Sequence, residues 1–294
     1  MILISVQNAA KSFGIHQVFA DVSFSLQKGE KMGLVGANGS GKTTLMRLIS
    51  GQEQPDSGAI HLSKDLRIGY LAQLGDLDPS DTVWESVRKV FEPVIALEQR
   101  LREVEKEMEI AGEDPGEALR LAGEYQRLTE RFNQMEGYAY EGEMLGVLSG
   151  LGLPPLFHDR KVNTLSGGER TRLSLAKLLL QKPDVLLMDE PTNHLDLEAI
   201  EWLQQYLTDY KGSLLLISHD RYFLDHVCTT MGELLGGKLI KFTGNYTEYM
   251  RKRTADFETR MKAYNLQQKE IEREQAIIRR YRSFNREKSI RAAE

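Results

Sequence analysis

The opening of the chain alternates. Residues 2–7 (Ile, Leu, Ile, Ser, Val, Gln) read as a strand, and Val18 to Leu26 reads as another around Phe19, Val22, Phe24 and Leu26. Lys11-Ser12-Phe13-Gly14 is expected to be a loop between them, and Gly29-Glu30 a turn before the apolar strand Met32–Val35. A turn at Pro55-Asp56-Ser57-Gly58 precedes a strand from Leu66 to Gln73. The period then changes. Val94, Leu97, Leu101, Val104 and Met108 step by 3, 4, 3 and 4, and Leu121, Tyr125, Leu128, Phe132 and Met135 step by 4, 3, 4 and 3. These are two helical seams separated by Gly112-Glu113-Asp114-Pro115-Gly116, hence an antiparallel hairpin from about Val94 to Gln134. The pattern fits a protruding arm and a compact helical pair alike; charges between the seam positions favour the arm. Gly150 to Pro155 is a loop. Later come a helix from Thr171 to Leu180 with Ser166 as N-cap, a buried strand Val185–Met188 closed by Asp189-Glu190, a helix Leu197–Leu207 and an apolar strand Ser213–Ser218. A short helix and two strands lead to Phe242, and from Tyr246 onward the chain reads as charged helix without Pro or Gly. The fold class is α/β.

Four places along this pattern carry chemistry. Gly36-Ala37-Asn38-Gly39-Ser40-Gly41-Lys42-Thr43-Thr44 lies between a strand and a helix and spells G-x-x-x-x-G-K-T, a phosphate loop. Glycines let successive amides curl around a phosphate, the helix N-terminus adds donors, Lys42 reaches the β- and γ-phosphates, and the Thr43 hydroxyl can ligate Mg²⁺. Asp189 answers this loop as the acid placed to hold Mg²⁺, and Glu190 as the general base for an attacking water. His219 ends a strand parallel to that of the phosphate loop, where ligands of such sheets collect, and Gln73 also ends a strand. Ser166-Gly167-Gly168 at a helix start form a second anion site, so one chain offers two half-sites that a head-to-tail pair of copies closes. Phe13 suits either stacking on adenine or a place in the core.

Composition narrows the setting. One cysteine, Cys228, excludes an internal disulfide and fits a reducing cytoplasm. The opening residues lack the basic flank and cleavage-like tail of a signal peptide, and no apolar run approaches the ~18 residues of a membrane span. Residues 251–294 carry 13 Lys/Arg against 7 Asp/Glu, a surplus of six in a chain of net −5, which leaves −11 on the body. Only the tail suits a polyanion. Arg279, Arg280, Arg282, Arg286, Lys288 and Arg291 crowd its end with Tyr281 and Phe284, as expected for contacts to RNA. Phe257, Met261, Tyr264, Ile271 and Ile278 form a seam suited to a returning helix.

LSGGER, VLLMDEPTNHLD and SHD, in this order after GANGSGKT, resemble an ATP-binding cassette over roughly Met1 to Phe242. DEPTNHLD with SHDRYFLD, and Glu169 where most transporter cassettes carry Gln, are similar to the ABC-F family. The resemblance implies a P-loop NTPase of ABC type at 1–242, with an antiparallel β subdomain, a helical subdomain bearing the 94–134 insertion, and a linker helix at 243–294. It implies ATP and Mg²⁺ as ligands. Residues 36–44 would hold phosphates and metal, and Phe13 would stack on adenine. Gln73 would contact Mg²⁺ and water, Asp189 would support Mg²⁺, Glu190 would be the base, and His219 would sense the γ-phosphate. Ser166, Gly167 and Gly168 would complete a neighbouring cassette's site, with Asp196 linking the two. Family members pair two cassettes through a helical linker, have no membrane domain, and act on the ribosome, where the linker meets tRNA and ribosomal RNA. On that pattern the chain stops inside the linker, before a second cassette. An energising transporter subunit shares every nucleotide motif, and a DNA-associated ATPase shares the basic helical tail.

Overall fold

The computed structural model describes residues 1–71, 77–111 and 115–291, without side chains at 111, 115 and 280–291. Two compact units emerge, Met1–Tyr246 and Thr247–Glu294.

In the first unit, β1 (Ile2–Phe13) and β2 (His16–Gln27) form a long antiparallel pair, joined by a turn at Gly14-Ile15. Lys11–Phe13 therefore belong to β1, and the expected loop shrinks to two residues. Bulges around Val6–Ala9, with Asn8 at φ 48°, carry the strand past the point where its alternation fails. β3 (Lys31–Val35) feeds the phosphate loop into α1 (Lys42–Ile49). β4 (Ser57–Leu62) follows where the sequence showed only a turn at Pro55–Gly58. It pairs with β1 as an edge strand whose residues are all at least partly exposed, so no apolar alternation announces it. The strand expected at 66–73 begins two residues later, as β5 (Ile68–Leu71), and residues 72–73 lie outside the described ones. α2 (Val83–Arg88), α3 (Glu92–Ala111), α4 (Pro115–Gln134), α5 (Tyr140–Gly150) and α6 (Gly167–Leu180) build the helical region. Then come β6 (Val185–Asp189), α7 (Leu197–Asp209), β7 (Ser213–Ile217), α8 (Arg221–Val227), β8 (Thr230–Leu235) and β9 (Lys238–Thr243).

The second sheet runs β5-β6-β7-β3-β8-β9, parallel except for the β8–β9 hairpin. Its central strands are buried on both faces, which is why they read as unbroken apolar runs. Leu45, Met46, Leu48 and Ile49 of α1 share one core with Ile4, Val6, Phe19 and Val22 of the antiparallel sheet and with Met32, Leu34, Val185, Leu187, Leu215 and Ile217 of the parallel one. That shared core fixes the start of α1 at the C-terminal end of β3.

α3 and α4 pack antiparallel. Val94, Leu97, Leu101, Val104, Leu121 and Phe132 are buried, whereas Met108 and Ile110 toward the end of α3 and Leu119 near the start of α4 are exposed. Arg100 crosses the pair, donating to Glu124 Oε1 from Nε (3.0 Å) and Nη2 (2.8 Å) and to Glu103 and Glu107 from Nη1. Tyr125 donates to Glu105 at 3.0 Å. The helical seams thus meet over Val94–Val104 and Leu121–Phe132, while Met108 and Met135 of the expected seams are exposed.

The second unit is the rest of α9 (Tyr246–Arg291). Its seam residues Phe257, Met261, Tyr264, Ile271 and Ile278 are exposed.

Candidate nucleotide site

β7 lies between β6 and β3, and all three run parallel. Their C-terminal ends therefore set Asp189-Glu190, Ser218-His219 and the phosphate loop side by side. The loop spelling is dictated by crowding. A Cβ on Gly36 would meet Leu234 O at 2.6 Å. Gly41, at φ 97°, has Val18 Cγ1 and the Phe19 ring within 2.3 and 2.8 Å of where its Cβ would stand. Gly41 is also the N-cap of α1 and offers no side chain to its first amides, so those donors stay open for an anion.

Lys42 Nζ donates to the carbonyls of Gly36 and Ala37, both at 3.0 Å, and so curls over the loop. The Thr43 hydroxyl donates to Asp189 Oδ2 at 2.6 Å. Two of the three residues expected at Mg²⁺ are thus in contact although 146 positions apart in sequence. Among the described residues no three of His, Cys, Asp and Glu cluster as a metal cage. A Thr43–Asp189 pair suits Mg²⁺ that takes its remaining oxygens from phosphate and water.

Glu190 sits at φ 52°, a conformation costly for a residue with a Cβ. It is held there by its own N–H on Ile217 O (2.9 Å) and by the His219 N–H on its Oε2 (3.3 Å). The His219 Nε2 is 3.6 Å from Oε1, which is buried without a hydrogen-bond partner. Burial pushes the carboxyl above its ordinary pKa, against the pull of the His219 N–H. Ser40 Oγ is a second buried, unpartnered oxygen, in the loop itself. Two orphaned polar atoms beside an open helix start fit a site completed by a polar ligand and its water.

The remaining expected residues fall elsewhere. Phe13 ends β1, half exposed, with Lys11 Nζ 5.5 Å from its ring centroid. Gln73 lies outside the described residues. α6 starts at Gly167, four residues earlier than expected, because Ser166 and Glu169 form a capping box that draws both glycines into the helix. Ser166 and Gly167 are exposed. Asp196 is the N-cap of α7, accepting from the Ala199 N–H at 2.9 Å. Arg279 is exposed, while the side chains of Arg280, Arg282, Arg286, Lys288 and Arg291 lie outside the described ones. Sequence reasoning missed what Glu169 does. The S-x-x-E spacing of a capping box was there to find.

Family models described as ABC transporter match residues 19–193 and 233–294. ABC transporter F family member 5 of Arabidopsis thaliana is 38% identical over 278 residues, 94% of this chain and 40% of that protein. The energy-dependent translational throttle protein EttA of Haemophilus influenzae is 37% identical over 262 residues, 89% of this chain and 46% of its own length. The chain therefore spans less than half of these relatives. The ATP-binding cassette MJ0796, solved as a dimer in a post-hydrolysis state with ADP and Pi, shares the fold with a TM-score of 0.54 at 22% identity, over 82% of this chain and 98% of that one. The chain belongs to the ABC transporter family and is, within it, an ATP-binding cassette of the ABC-F type.

Proposed function

We propose that this cassette binds Mg-ATP on residues 36–44 and hydrolyses it when a second cassette closes over the site. The single observation that carries the reading is the contact of Thr43 with Asp189 beside a Glu190 whose Oε1 is buried and free. Gly36, Asn38, Gly39, Ser40 and Gly41 shape the phosphate cradle, with Thr44 in the first turn of α1. Lys42 exchanges its loop carbonyls for phosphate oxygens. Thr43, Asp189 and Gln73 hold Mg²⁺, which when bound neutralises phosphate charge. Glu190 accepts a proton from the attacking water, so that water oxygen bonds to the γ-phosphorus, the bond to the β-phosphate oxygen breaks, and ADP and phosphate result. His219, which fixes the Glu190 carboxylate through its backbone, stands next to the γ-phosphate. Phe13 stacks on adenine. Ser166, Gly167 and Gly168 serve the nucleotide of the second cassette, and Asp196 joins the two sites.

We place this cycle on the ribosome, in the cytoplasm. The support is the ABC-F type and a relative named as a translational throttle. The basic end of α9, from Arg279 to Arg291, is the part that meets tRNA or ribosomal RNA. Among the described residues no helix is long and apolar enough to cross a membrane.

Titration calorimetry with Mg-ATP tests the reading. Lys42→Ala is expected to lose at least tenfold in affinity, since it removes a charge-assisted phosphate contact. Equal affinity for both proteins would overturn the assignment.

A further inference from the structure

Glu169, the acid that closes LSGGE, has a dedicated partner. Arg160 Nη1 donates to Glu169 Oε1 at 3.2 Å, and Nη2 donates to Glu169 Oε2 at 3.5 Å and to Thr164 O at 3.3 Å. The guanidinium lies over the Phe157 ring, 4.7 Å from its centroid. Its backbone is pinned as well: the Val83 N–H of α2 donates to Arg160 O at 3.0 Å, and the Arg160 N–H to Phe157 O at 3.0 Å. Arg160 is therefore held at both its backbone and its guanidinium, and Glu169 is gripped from two sides.

The other side is the capping box. Glu169 Oε2 accepts from the Ser166 N–H at 2.7 Å, and Ser166 Oγ accepts from the Glu169 N–H at 3.3 Å. A hydroxyl that already accepts is left with its own O–H to give. The amides of Gly167 and Gly168, in the first turn, have no side-chain cap of their own. We propose that Arg160 is a positioning residue: by clamping the Glu169 carboxylate it locks the capping box, so that the Ser166 O–H and the Gly167 and Gly168 N–H groups form a preset donor set for the terminal phosphate on a second cassette. The inference rests on the shared site proposed above. It also explains the Glu. A glutamine at 169 could cap Ser166 with its one oxygen but would turn an NH₂ donor toward the guanidinium, whereas a carboxylate accepts from both. Arg160 and Glu169 are thus one recognition unit, not two independent surface charges.

Two measurements on the chain test this. The first is hydrogen exchange of the peptide 163–172 without nucleotide. The second is Mg-ATP-dependent self-association by sedimentation, in a Glu190→Gln background that blocks hydrolysis. Arg160→Ala is expected to speed exchange in that peptide and to weaken association, each about tenfold, with ATP affinity of the chain's own site unchanged. Arg160→Lys should recover part of both, because a point charge replaces a fork. Glu169→Gln added to Arg160→Ala should cost less than Glu169→Gln alone, the mark of a coupled pair. Unchanged exchange in Arg160→Ala, or strictly additive effects, would overturn the proposal. A parent protein that binds Mg-ATP but does not associate would contradict the shared site instead, and the exchange rates would still decide whether Arg160 fixes the loop.

Discussion

Glu190 shows how a single residue is tuned by its surroundings. Its backbone is held at positive φ by strand neighbours, its carboxyl is half buried, and one oxygen has no partner. Burial raises its pKa, so the ionised form is the one the fold disfavours. The consequence for stability has a definite sign. The cost is absent below the unfolded pKa of about 4.3 and appears as pH rises through the higher folded value. Glu190→Gln is therefore expected to melt at a higher temperature than the parent at pH 7, with the difference vanishing near pH 4. A lower melting temperature at pH 7 would contradict this. The same shift predicts that hydrolysis in the paired state loses its base, on acidification, at a pH above that of an ordinary glutamate. None of this tuning is legible in the sequence, which offers Asp189-Glu190 as metal-holding acid and base after an apolar run but not the environment of either. That they end a buried strand was legible. The positive φ and the orphaned oxygen depend on β7 lying alongside.

Helices were legible in proportion to how one-sided they are. α3 and α4 bury one face and expose the other, so their 3–4 spacing announced them and even the residues that meet. The hairpin seam predicts a contrast. Leu121→Ala, at a fully buried position, should cost about 2–5 kcal/mol in urea unfolding of the hairpin, and Leu119→Ala, on the exposed side, within about 0.5 kcal/mol. Equal costs would mean that the seam is not the packing surface. α5 was not legible: Met144, Val147 and Leu148 are buried, but three glycines and no polar stripe gave it no period. α2 is only six residues long, and its Thr82–Glu85 capping box went unread. β4 turns only Ile60 toward the core, and that residue is only partly buried. Ser166 was legible as the cap of α6, but the helix was drawn only from Thr171, although the Ser166–Glu169 box caps a helix that includes both glycines.

The whole chain joins an acidic cassette to a basic helix. The contrast in charge was plain from composition, and apolar runs ending in chemistry-bearing residues marked 36–44, 189–190 and 219, but the strand order that brings them side by side is a finding of the structure. What composition could not supply is which face of α9 meets what. If its end contacts RNA through phosphates, affinity of the chain for ribosomes should fall with salt at a log–log slope of about −0.7 to −0.9 per neutralised phosphate. Replacing Arg279, Arg280 and Arg282 by Glu should flatten that slope and leave ATP affinity alone. An unchanged slope would leave α9 as a connector.

The central claim is that one nucleotide site is built from two cassettes, and mixing two inactive variants tests it most directly. Ser166→Ala keeps the phosphate loop, Asp189 and Glu190 but damages what it gives a partner. Glu190→Gln keeps the donor set around Ser166 but has no base. Each alone should show almost no Mg-ATP hydrolysis. Mixed in equal amounts and allowed to exchange, half of the pairs are mixed, and each of these holds one intact site of two. The rate should therefore recover to about one quarter of the parent's at the same total concentration, as random two-fold pairing requires. A mixture no more active than the sum of its parts, in proteins that still bind Mg-ATP, would contradict the shared site.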